Sequence, residues 1–147
     1  MIAKEAFPFL TPQNHHITSP PSIDYNCIAW AMSDSEHWWQ PGTFWPIPVQ
    51  TTDFTVAALV RAFEHVGYAG CGLDASLQPG AEKVALFSTT LYYTHAARQL
   101  PSGKWTSKLG KAEDIEHDTP QDVAGGSYGE LFQIMKRPLS EAPSSSG

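Results

Sequence analysis

The stretch Tyr92-Tyr93-Thr94-His95-Ala96-Ala97-Arg98-Gln99-Leu100-Pro101-Ser102-Gly103-Lys104-Trp105-Thr106-Ser107-Lys108-Leu109 decides the reading of this chain. Two strand-like runs flank Pro101-Ser102-Gly103, which supplies a type I turn with glycine in the left-handed position. Such a turn pairs Leu100 with Lys104. Counting back, Ala97 faces Ser107 and His95 faces Leu109. Opposed residues share a sheet face, so His95 and Ser107 become diagonal neighbours on one face. A slip of one residue would bring Lys108 there instead.

Working outward, Lys83-Val84-Ala85-Leu86-Phe87-Ser88 and Glu130-Leu131-Phe132-Gln133-Ile134-Met135 read as further strands. Residues 111–125, which contain His117, read as a polar connection. On the N-terminal side, Tyr25, Ile28, Ala29 and Met32 recur at helical spacing. A buried helix is expected over 24–33, capped by Ser22 or Asp24 and ended by Ser33-Asp34-Ser35. Val56, Leu59, Val60, Phe63 and Val66 form a stripe of 3.6-residue period, which predicts a second helix over about 53–66 with Gly67 beyond it. Between the helices, residues 35–50 hold Trp38, Trp39, Phe44 and Trp45 among turn formers and read as an aromatic loop.

Helices followed by an antiparallel meander make an α+β pattern. The expected architecture is N-terminal helices packed on a small antiparallel sheet. Residues 1–23 are expected to form an extended arm, 24–137 one domain, and 138–147 a disordered tail.

Of the 147 residues, 41% are hydrophobic and only 16% charged, enough apolar material for a core. A net charge of −6 argues against nucleic acid or an anionic membrane as the main partner, since both require a basic face. No apolar run reaches membrane-spanning length. Glu5 and Pro8 interrupt the apolar N-terminus, so a cytoplasmic protein is expected, or one exported without an N-terminal signal. The two cysteines are too few for a disulfide framework and are read as separate thiols. Adjacent His15-His16 and scattered His37, His65 and His117 form no metal-ligand pattern, so neither metal nor cofactor is expected.

Chemistry points first to Cys27, in the first turn of the first expected helix. Aligned N–H groups at such a position favour a thiolate and later an oxyanion. His95, held in a strand, suits a general base. A third group is needed to orient the imidazole. Ser107 is first by register, with Asp114 and His117 as alternatives. Asn26 and Lys108 are candidate oxyanion or substrate-binding groups. Trp39, Trp45 and His117 are candidate substrate-binding residues, because aromatic rings give large contact area.

A thiol on a helix N-terminus, then a histidine on a central antiparallel strand and a polar residue on its neighbour, resembles the papain-like superfamily of cysteine hydrolases. That superfamily includes small bacterial amidases and peptidases. Papain's Gln before the nucleophile is absent, and Asn26-Cys27-Ile28 replaces the Asp-Cys-Ser of cell-wall amidases. The wording Asn26-Cys27-Ile28-Ala29-Trp30-Ala31, Thr94-His95-Ala96-Ala97-Arg98 and Trp105-Thr106-Ser107-Lys108-Leu109-Gly110 also resembles an uncharacterised bacterial family, the DUF7689 type, over about 24–137. The superfamily resemblance implies a papain-like fold with Cys27 as nucleophile, His95 as base and Ser107 as orienting residue. It implies attack on a peptide or a small amide or ester through a thioacyl intermediate. The alternative is a non-catalytic binding, immunity or adaptor protein on the same fold. A redox thiol protein would need Cys71 within disulfide reach of Cys27.

Overall fold

The computed structural model describes residues 7–20, 24–32, 38–40, 45–46, 54–109, 113–126 and 128–138. In chain order the elements are β1 (His15–Ser19), α1 (Cys27–Ala31), α2 (Val56–His65), β2 (Ala69–Gly70), β3 (Ala81–Thr89), β4 (Tyr92–Gln99), β5 (Trp105–Lys108), β6 (Asp114–His117), a 3-10 helix (Pro120–Val123) and β7 (Glu130–Pro138). The strands form one seven-stranded sheet in the order β1-β6-β5-β4-β3-β7-β2. Every paired neighbour is antiparallel.

This overturns the expected α+β architecture of papain-like type, with helices packed on a small sheet. The molecule is mainly β, and its two described α-helices span only five and ten residues. The first helix is shorter than expected because it starts at Asn26, not at Ser22 or Asp24. The Asn26 carboxamide oxygen accepts from the Ala29 N–H at 3.0 Å, an N-cap bond. The second starts at Thr55, whose hydroxyl accepts from the Ala58 N–H at 3.2 Å. Part of the expected extended arm is the edge strand β1. The expected polar connection contains β6 and the 3-10 helix. Of the expected tail, 138–147, Pro138 is instead the last residue of β7, and the rest, with the Ser33–Ser35 helix stop, His37 and Phe44, lies outside the described residues.

Both faces of the sheet are covered. Val84, Leu86, Ala96 and Met135 alternate onto one face and pack with Ile28, Ala29, Leu59 and Phe63 from the helices. Ala85, Phe87, Ala97, Trp105, Ile115 and Ile134 alternate onto the other. Leu10 from the N-terminal segment and Val123 from the 3-10 helix close that second face. Burying each large side chain of these layers contributes about 1.5–3 kcal/mol. Cys27 belongs to the helix-covered layer and Cys71 packs against the other. Both are free thiols on opposite sides of the sheet, so no disulfide joins them.

The β4–β5 hairpin has the register that its turn chemistry dictates. Leu100 N–H donates to Lys104 O at 2.7 Å, and Gly103 N–H to Leu100 O at 2.9 Å. Gly103 has φ +92°, a conformation that glycine adopts without strain. Arg98 pairs with Thr106 and Gln99 with Trp105.

Candidate active site

Cys27 is the first residue of α1 and is 9% exposed. The backbone N–H groups of Ala96, Ile28 and Cys27 itself favour its thiolate form. The helix of five residues has a small dipole, so these local donors matter more than the macrodipole. They do not outweigh desolvation. Burial pushes the Cys27 thiol up to about 11, with the three N–H groups and the Lys108 ammonium pulling the other way. The resting site therefore holds a neutral thiol.

Ala96 directly follows His95 in the central strand β4. The named β4–β5 pairs end at Arg98–Thr106, and beyond them the Ala96 N–H acts on Cys27, favouring its thiolate. The helix that carries Cys27 lies over the face of Ala96, Arg98 and Thr106. Trp30 Nε1–H donates to Thr106 Oγ1 at 2.9 Å, and Arg98 Nε–H donates to Trp30 O at 3.3 Å. The His95 ring lies on the other face, beside Phe87 at a centroid distance of 5.3 Å. The sulfur thus meets β4 at the peptide between His95 and Ala96.

His95 is fully buried. Its ring stacks on Tyr128 at 4.0 Å between centroids and 3° between planes. His95 Nε2 is 2.9 Å from Ser107 Oγ, and Ser107 Oγ is 2.7 Å from His117 Nε2. His117 Nδ1 is 2.8 Å from Thr119 O. The first two steps are diagonal cross-strand contacts, from β4 to β5 and from β5 to β6, and the third is local. Burial, with the neighbouring His117, holds the His95 imidazole well below its ordinary range. Burial lowers His117 as well, against the pull of Thr119 O and Asp122. His95 Nδ1 is buried and has no hydrogen-bond partner among the described residues.

The structure separates the remaining candidates. Asn26 is fully occupied in holding the chain together: it caps α1, accepts from Trp39 N–H at 3.1 Å and donates to Trp39 O at 2.7 Å. Trp39 is a core residue, 7% exposed, rather than an open wall. Half-buried Trp45 meets Trp39 edge-on and stacks on Tyr93 at 5.9 Å. Lys108 is buried on the α1 side, its ammonium 5.3 Å from the Tyr25 ring centroid, and desolvation lowers its pKa. Asp114 accepts from Tyr25 O–H at 2.6 Å. It faces the helix side, away from His95, whereas His117 joins Ser107.

Three participants escape sequence reasoning: the Ala96 N–H, the Thr119 carbonyl and Tyr128. Tyr128 had a signal, an aromatic bracketed by Gly125-Gly126 and Gly129. Gly125 N–H donates to Gly129 O at 2.7 Å, closing a tight loop that presents the ring. Backbone groups leave no signal in residue identity.

Among the described residues, no three His, Cys, Asp or Glu side chains converge as metal ligands. No described helix is long and apolar enough to cross a membrane. Neither a curated protein nor a solved structure matches the chain. A family model described as a domain of unknown function, DUF7689, matches residues 16–136. The match spans most of the chain, which belongs to the DUF7689 family.

Proposed function

We propose that this protein is a cysteine-dependent hydrolase or acyltransferase acting on amide or ester bonds, of peptidase, amidase or deamidase type. The observation that carries the reading is the buried Nδ1 of His95, without a hydrogen-bond partner among the described residues, next in the chain to the Ala96 N–H that favours the Cys27 thiolate. A buried acceptor left without a donor costs about 1–3 kcal/mol, and a functional role accounts for keeping it.

The chemistry follows from the neutral resting pair. In this reading the Cys27 S–H proton reaches His95 Nδ1, on the other face of β4, by way of the gap where β4 and β5 part beyond Arg98–Thr106, as the sulfur attacks the carbonyl carbon. The carbonyl oxygen becomes an oxyanion and accepts from the backbone N–H groups that favour the thiolate, that of Cys27 among them. Collapse breaks the C–N or C–O bond, and the leaving group takes the proton from Nδ1. Water or an amine then attacks the thioester, giving up its proton to Nδ1, and the acyl group leaves as Cys27 recovers S–H.

A second reading has its own support. A thiol held at about 11 suits a structural core cysteine, as in a non-catalytic binding, immunity or adaptor protein. Incubation with p-nitrophenyl acetate, an acid quench and peptide mass analysis separate the two. The hydrolase reading expects an acetyl group on Cys27, none in Cys27→Ala, and acetylation roughly 10²–10⁴-fold slower in His95→Asn. Acetylation confined to Cys71 and lysines, or unaffected by His95→Asn, leaves the binding-protein reading.

A further inference from the structure

The hydrogen-bond chain from His95 to Thr119 has a direction, and that direction fixes where each hydrogen sits. A carbonyl oxygen can only accept, so His117 Nδ1, 2.8 Å from Thr119 O, carries a hydrogen. A neutral imidazole has one N–H, so His117 Nε2 is a lone pair. Ser107 Oγ, 2.7 Å away, donates its single hydrogen to that lone pair. The hydroxyl must then accept from the group on its other side, His95 Nε2–H at 2.9 Å. His95 Nδ1 is left as the bare lone pair, and it is the ring nitrogen without a described partner.

We propose that Ser107 and His117, anchored on the Thr119 carbonyl, are positioning residues that lock His95 in the tautomer with a bare Nδ1. Burial of both rings keeps them neutral, the condition that the hydrogen count needs. The coplanar Tyr128 ring, 4.0 Å from His95, restricts the imidazole to the plane in which Nε2 meets Ser107. The use of this lone pair as a base rests on the hydrolase reading, but the tautomer itself does not.

The test is a long-range proton–nitrogen correlation spectrum of the full chain, labelled with nitrogen-15, at neutral pH. Expected are a protonated Nε2 and bare Nδ1 in His95, and the reverse in His117. Either ring in the opposite tautomer, or doubly protonated, overturns the proposal. In Ser107→Ala, His95 should shift to a mixture of tautomers, and acetylation of Cys27 should slow about tenfold, a fraction of what a general base supplies. Ser107→Thr retains a hydroxyl and should restore the wild-type tautomers. An unchanged His95 tautomer in Ser107→Ala also overturns the proposal. Should either variant fail to fold, the wild-type spectrum alone decides. Wild-type tautomers as assigned, with no acetyl-Cys27 at all, would sink the hydrolase reading and leave this inference standing.

Discussion

At the residue scale, Cys27 sits where two opposing effects can be weighed. Three N–H groups and Lys108 favour the thiolate, and desolvation disfavours it by more, from the usual 9.0 up to about 11. The sign for stability follows. The unfolded thiol ionises near 9 while the native one keeps its proton. Stability is therefore full below pH 9 and falls as pH rises through 9 to 11, by up to about 2–3 kcal/mol. Tyr25, pushed up to about 12 by burial and by its bond to Asp114, adds its own loss above pH 10. Urea unfolding at pH 8 and pH 10, compared between wild type and Cys27→Ala, isolates the cysteine contribution. Equal losses in the two proteins would mean that the sulfur is solvated. The same burial predicts slow iodoacetamide alkylation at neutral pH with a half-point near 11. A half-point below that of a free thiol would show a thiolate–imidazolium pair instead.

At the scale of elements, the site depends on one tight loop. Gly129 has φ +67°, and a Cβ there would lie 2.3 Å from Ser88 O and 3.0 Å from its carbonyl carbon. The neighbour is backbone of β3 and cannot swing aside. Gly129→Ala should cost about 1–3 kcal/mol and displace Tyr128 from His95, read as a lower Tm with a changed His95 ring shift. An unchanged shift would show that Tyr128 holds its place without the loop. Elements also show what hydropathy reveals. The β4–β5 hairpin was legible because Pro101-Ser102-Gly103 admits one register, and that register brought His95 to Ser107. The α2 stripe was legible because five apolar residues keep helical period. Strands β1 and β6 were not. Asp114-Ile115-Glu116-His117 has one apolar residue, yet Asp114 and His117 are fully buried. Tyr25, 89 residues away in the chain, bonds the first, and Ser107 of the neighbouring strand joins Thr119 in bonding the second, so partners outside the strand made burial tolerable. No local pattern encodes such partners.

At the scale of the whole molecule, the neutral histidine chain couples the fold to pH. His95, Ser107 and His117 come from β4, β5 and β6, so the chain exists only when three adjacent strands are paired. Both imidazoles are bases whose folded pKa is depressed. For such groups the stability is present above the unfolded value of about 6.5 and is lost as pH falls below it, because the unfolded chain takes up protons that the native one refuses. Each histidine that stays neutral adds a slope of about 1.4 kcal/mol per pH unit in that range. Unfolding free energy measured from pH 7 to pH 5 should therefore fall with a proton uptake approaching two from these residues. His117→Gln keeps an acceptor for Ser107 but has no titrating ring, and should remove one proton from that uptake. An uptake unchanged by the substitution would mean that His117 is already protonated in the native state. Ser107 would then lose its acceptor, and the direction of the whole chain with it.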